Sequence, residues 1–181
     1  RLFAATQTPA QTATNDPADY ELGVRFNAAS DGSITQLLYY RGVEDADDTD
    51  TRALNLWTDA GVKLATVTVV SSVGQSGWQV GTLSTPIDVQ AGMNYIASYG
   101  TEQNYVYTSN FFDTAHTSDD FVLSAPASNS GAGNGVYAAT GPDTFPNQTF
   151  NNTNYWVDVV FEPVDELLMP ADSGAATFEF A

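Results

Sequence analysis

The feature that most constrains this chain is a cadence. Short stretches alternate apolar and polar side chains, turn residues cut them apart, and no stretch repeats at i, i+3, i+4 and i+7. In YELGVRFNA, residues Leu22, Val24 and Phe26 share one face. SITQLLYYR follows the turn Asp31-Gly32, and RALNLWT meets VKLATVTVV across Asp59-Ala60-Gly61, a tight hairpin connection. GWQVGTL, PIDV, MNYIASYG and NYVYTS continue the series as separate strands. NYWVDVVFEP closes it, with Tyr155, Val157, Val159 and Phe161 on one face. This pattern predicts an all-β fold, a two-sheet antiparallel sandwich of the jelly-roll or immunoglobulin-like kind with extended N- and C-terminal strands. Leu22, Val24, Phe26, Leu56, Val67, Ile96, Val157 and Val159 are expected to point inward.

Between Asp113 and Pro146 the pattern loosens into Gly, Ser, Asn and Pro, and predicts a long loop region with short strands at Phe121–Leu123 and Val136–Ala138. Residues 1–19 read as an extended lead-in pairing at a sheet edge. The sandwich domain is expected over 1–163, and 164–181 as a linker and terminal strand. In that strand Phe178 and Phe180 fall on one face of ATFEFA, placed for contact with another subunit.

The charge balance, 22 acidic residues against 5 basic ones with Lys63 the sole lysine, narrows the partners. Binding nucleic acid or anionic lipid depends on Lys and Arg displacing counterions, so neither partner is expected. Such a surface stays soluble at high ionic strength and suits a salt-loving source. No run of about 18 apolar residues exists, so no membrane insertion is expected. The absence of cysteine removes thiol nucleophiles, thiolate zinc sites and disulfides. A start at Arg1 rather than Met suggests a processed N-terminus and a secreted chain, extracellular or at the cell surface.

The segments GSITQLLYYRG, LNLWTDAGVKLATVTV, SGWQVGTLSTPIDVQAGMNYIASY and TNYWVDVVFEP, with the opening LFAATQTPAQTATND, resemble a bacterial and archaeal family known as domain of unknown function number four thousand and eighty-two. The resemblance runs from about Leu2 to Pro163. It implies a secreted β-sandwich module of the kind found between immunoglobulin-like or cadherin-like repeats or beside carbohydrate-active domains. It supplies no catalytic residues. The acidic VEDADDTDT departs from the family pattern, so no ligand role carries over to it, and Val164 to Ala181 lies outside the pattern.

Three constellations bear on chemistry. Glu44 to Asp50 holds five carboxylates in seven residues. Asp45, Asp47, Asp48 and Asp50 are candidate Ca²⁺ ligands, although the turn glycine and distal Glu of a calcium loop are missing, and a solvated acidic loop is the competing reading. In NYVYTSNFF, residues Tyr105, Tyr107, Phe111 and Phe112 are candidates for a carbohydrate-stacking platform, or else cap the core under the long loop. His116, the one histidine, reads as a surface residue. No carboxyl stands in an apolar sequence setting that would raise its pKa, so no enzyme is expected. The sequence therefore supports two roles. One is a structural or adhesive module that self-associates or meets neighbouring surface modules, polymerising into a fibre through terminal strands. The other is a polysaccharide-binding module using exposed aromatics, with or without Ca²⁺.

Overall fold

A computed structural model of the protein describes residues 1–164 apart from 13, 15, 17, 48 and 103. The candidate contact residues Phe178 and Phe180 and the candidate ligand Asp48 lie outside the described residues. Eleven strands run in chain order: β1 Tyr20–Ala28, β2 Gly32–Arg41, β3 Asp50–Thr58, β4 Lys63–Ser71, β5 Gly77–Val89, β6 Asn94–Thr101, β7 His116–Thr117, β8 Leu123–Ala125, β9 Val136–Ala138, β10 Gln148–Thr149 and β11 Val157–Pro163. Among the described residues a single 3-10 turn, Phe111–Asp113, interrupts them.

They form two antiparallel sheets. The larger has the order β10-β9-β1-β6-β3-β4, with β8 also paired to β1 and β7 to β8; the smaller is β11-β2-β5. The sheets face each other as a sandwich, as the alternation predicts. Leu22, Val24, Phe26, Leu54 and Leu56 of the larger sheet pack into one core with Ile34, Leu37, Tyr39, Val157 and Val159 of the smaller one. The β3–β4 hairpin turns where expected: Thr58 N donates to Val62 O at 2.9 Å, and Gly61 takes φ +87, a value that favours glycine.

Four expectations need correcting. Ile96 is buried on the other face of the larger sheet, in a small cluster with Trp57, Val136 and Phe145, while its neighbour Ala97 faces the main core. Loop residues cover that second face over β1, β3 and β6, so the antiparallel sheet has two buried sides there, while along β4 the second face is exposed. GWQVGTL and PIDV form one strand, β5, whose pairing with β2 jumps from Thr82–Gln36 to Ile87–Ile34 across the irregularity. NYVYTS is not a strand. Only isolated bridges form there, Gln11 with Tyr107 and Thr108 with Asn154. The lead-in does more than pair at an edge, because Leu2 and Phe3 are each 1% exposed and belong to the main core.

Candidate functional site

The acidic loop joins β2 to β3, and a cleft of about 740 Å³ opens there between Arg41, Glu44, Asp45, Asp47, Asp50 and Arg52. Two arginines form its inner side. Arg41 is fully buried and donates from Nη1 to the carbonyls of Ser72 and Gln75 at 2.9 and 3.0 Å, with its Nε 4.0 Å from Asp45. Arg52 lies over the rings of Tyr39 and Tyr99, at 5.1 and 5.5 Å, and pairs with both Asp45 and Asp50. Weakly hydrated guanidinium is suited to such a site between aromatic faces and carboxylates. Burial raises the Asp45 carboxyl above its ordinary range, with Arg52 opposing that rise.

Of the predicted Ca²⁺ ligands, Asp45 and Asp50 are thus already counterions to Arg52, and Asp47 is exposed. Among the described residues no group of three or more acidic or histidine side chains converges as a metal site. The loop is not merely solvated either: it is pinned at Asp45, whose side chain is 16% exposed.

The aromatic stretch is spent inside the fold. Phe112 has no exposed surface, so its ring has no face for a sugar, and it drops out of the predicted platform. Phe111 packs edge-on to Phe3 at 5.8 Å and to Trp156 at 5.8 Å. Tyr105 meets Tyr20, Tyr107 and Tyr155, and Tyr105, Tyr107 and Phe111 all border the main core half-buried. A different aromatic is presented to solvent. Phe121, at the tip between β7 and β8, is 78% exposed and holds φ +59, a backbone conformation costly for a bulky side chain. Its neighbours Asp119 and Asp120 line a smaller cleft of about 220 Å³ with Arg1, Phe3 and Ala4.

A family model described as a domain of unknown function, DUF4082, matches residues 6–157. The chain belongs to that family. No curated protein matches it significantly. The DUF4082 match spans the sandwich from the lead-in to the start of β11 and stops short of the segment holding Phe178 and Phe180.

Sequence reasoning missed two buried carboxylates in this DUF4082 domain. Asp158, on β11, is fully buried. Its Oδ1 accepts from Leu2 N and Val159 N, both at 2.7 Å, and its Oδ2 accepts from Phe3 N at 3.3 Å and pairs with Arg1 at 2.9 Å. His116 completes this attachment: Nε2 lies 3.1 Å from Leu2 O and the ring stacks on Phe3 at 4.9 Å, so it is no free surface histidine. Glu21, on β1, is also fully buried. It accepts from Asn55 Nδ2 at 2.9 Å, Ser98 Oγ at 2.5 Å and the Asp143 amide at 2.8 Å, and Ser98 in turn receives Trp57 Nε1 at 2.8 Å. Burial raises both carboxyls, against the pull of these donors. The expectation that no carboxyl sits in a desolvated setting is therefore corrected. Neither lines the two clefts above. The only sequence signal was an acid inside an otherwise strongly patterned strand.

Proposed function

We propose that the chain is a non-catalytic extracellular module with a structural or adhesive role at the cell surface, associating with copies of itself or with neighbouring modules. The observation that carries this reading is how its buried ionisable groups are used. Asp158 and His116 fasten the N-terminal segment, Glu21 fastens the loop at Asp143, and Arg52 fastens the acidic loop. Each is engaged by fold-internal partners, the arrangement of a rigid scaffold rather than of a group poised to exchange protons with a substrate. The formal charge of −17 favours solubility and suits a salty exterior. The segment with Phe178 and Phe180 supplies an alternating sequence for joining copies.

Light scattering on the full-length chain, across concentration and salt, tests this. Species larger than the monomer are expected, and Phe178→Ala with Phe180→Ala returns them to the monomer. A chain monomeric under every condition leaves a surface module without self-association.

Polysaccharide binding has one specific support, the solvent-facing Phe121 beside Asp119 and Asp120, since an exposed ring flanked by acceptors suits a pyranose face. A glycan array on which binding appears and is lost in Phe121→Ala promotes that role; an array without signal removes it.

A further inference from the structure

Among the described residues, five strands pair on one side only: β4, β5, β7, β10 and β11. A strand with an open side offers free N–H and C=O groups to any extended segment, and folds usually blunt such edges by shortness, charge, proline or bulges. Four of the five are blunted in this way. β7 and β10 are two residues long. β11 carries Glu162, Pro163 and a bulge between Val160 and Phe161, and its Asp158 is occupied with the N-terminal segment. β5 carries Pro86 within the stretch where its pairing with β2 lapses.

β4 has none of these guards beyond its first residue. Nine residues long, it contains no proline and no carboxylate, its one charge is Lys63, and its one irregularity is at that same end. Thr66, Thr68 and Val70 are exposed, Val70 by 63%. On the inner side Val67 and Val69 pack so close to β5 that a Cβ on Gly81 would meet Val67 Cγ1 at 2.6 Å. No described backbone hydrogen bond runs from Leu64–Val70 to anything but β3.

We infer that the open edge of β4 is the acceptor for residues 176–181, ATFEFA, of a second copy of this chain, added as a further strand of the larger sheet. This rests on the self-association reading above and names its contact. The segment fits the edge by pattern and charge. A period of two sends Phe178 and Phe180 to the side of Val67 and Val69 and leaves Thr177 and Glu179 on the side of Thr66, Thr68 and Val70. On a chain this acidic, β4 is an edge without carboxylates, and its one charge, Lys63, is paired with Asp143 at the far end. Residues 164–175 supply a spacer of up to about 40 Å when extended. Because donor segment and acceptor edge are different surfaces, a head-to-tail contact leads to open filaments where its rotation does not close, and a reciprocal exchange of segments leads to a dimer.

The chain has no cysteine, which gives a clean test. Full-length Thr68→Cys and full-length Thr177→Cys are mixed under oxidising conditions and resolved without reductant, beside a control pair of Thr82→Cys on β5 with Thr177→Cys. The β4 pair yields several-fold more mixed disulfide dimer than the β5 pair, and Phe178→Ala with Phe180→Ala in the Thr177→Cys chain abolishes it. If the chain self-associates through Phe178 and Phe180 yet β4 links no better than β5, the acceptor assignment is overturned while self-association stands. If one chain carrying both Thr68→Cys and Thr177→Cys closes on itself as a monomer, the segment docks at home and the assignment is overturned. A chain that never self-associates overturns both.

Discussion

Two segments outside the strands are fastened to this sandwich chiefly through buried charges, and the principal charges have opposite sign. The N-terminal segment is held by a carboxylate, Asp158, that gathers three backbone amides and one guanidinium. The acidic loop is held by a guanidinium, Arg52, that gathers two carboxylates above two tyrosine rings. The difference is where the alternative partners are. Backbone amides released from Asp158 have Leu2 and Phe3 attached to them, so freeing them also exposes core. Carboxylates released from Arg52 swing into water. The carboxylate anchor is therefore expected to matter more to stability, even though the arginine has the denser charge around it.

Asp158→Ala is the most damaging change expected, at about 3–5 kcal/mol, because it strands Arg1 and orphans buried amides. Urea denaturation measures it, and a loss below about 1 kcal/mol would break the comparison at its stronger side. Arg52→Met comes next, at about 2–4 kcal/mol, since Asp45 is left beside Asp50 with only the more distant Arg41 to offset it. Adding Asp45→Asn recovers part of that loss in a double-mutant cycle. A larger loss for Arg52→Met than for Asp158→Ala would invert the ranking.

The third expectation concerns pH. Asp158 and Asp45 both have folded pKa values raised by burial, so both bind protons more readily folded than unfolded. Such groups contribute stability that is fully present below the unfolded pKa and lost as pH rises through the folded one. Melting at low salt therefore rises as pH falls from neutrality toward the ordinary carboxylate range, and the rise shrinks in Asp158→Asn. Asp120, held low by the Ser118 hydroxyl and the Val122 amide, works in the opposite sense from an exposed position. The smallest effects belong to the outer acidic loop. Asp47→Asn stays within about 0.5 kcal/mol. Melting in Ca²⁺ matches melting in chelator, whereas a rise following ln(1 + [L]/Kd) would show that a metal competes with Arg52 for Asp45 and Asp50.

The main core was legible because alternation writes one buried face directly into β1, β3 and β11. Ile96 defeated the same logic. Loops cover much of the second face of the larger sheet, so polar Glu21, Asn55 and Ser98 are buried there beside Trp57 and Ile96, and parity no longer separates core from solvent. Glu21 and Asp158 occupy positions that alternation assigns to solvent. Their burial depends on Asp143 and on Leu2 and Phe3, more than a hundred residues away in sequence, and no local pattern carries that. The Tyr105–Tyr107 alternation misled for a related reason, its bridging partner Gln11 also being distant in sequence. The acidic loop was located correctly, yet its charge count concealed that the two arginines flanking it, Arg41 and Arg52, are its partners.

The buried arginines also bear on how the chain withstands digestion. Enzymes that cut after basic residues have five targets, Arg1, Arg25, Arg41, Arg52 and Lys63, and none between Leu64 and Ala181. Arg25, Arg41 and Arg52 are at most 6% exposed, and each lies within a paired strand. A trypsin-like protease in the surroundings must therefore wait for the sandwich to open before it can cleave inside the fold at those three bonds, and even complete cleavage leaves the last two thirds of the sequence in one piece.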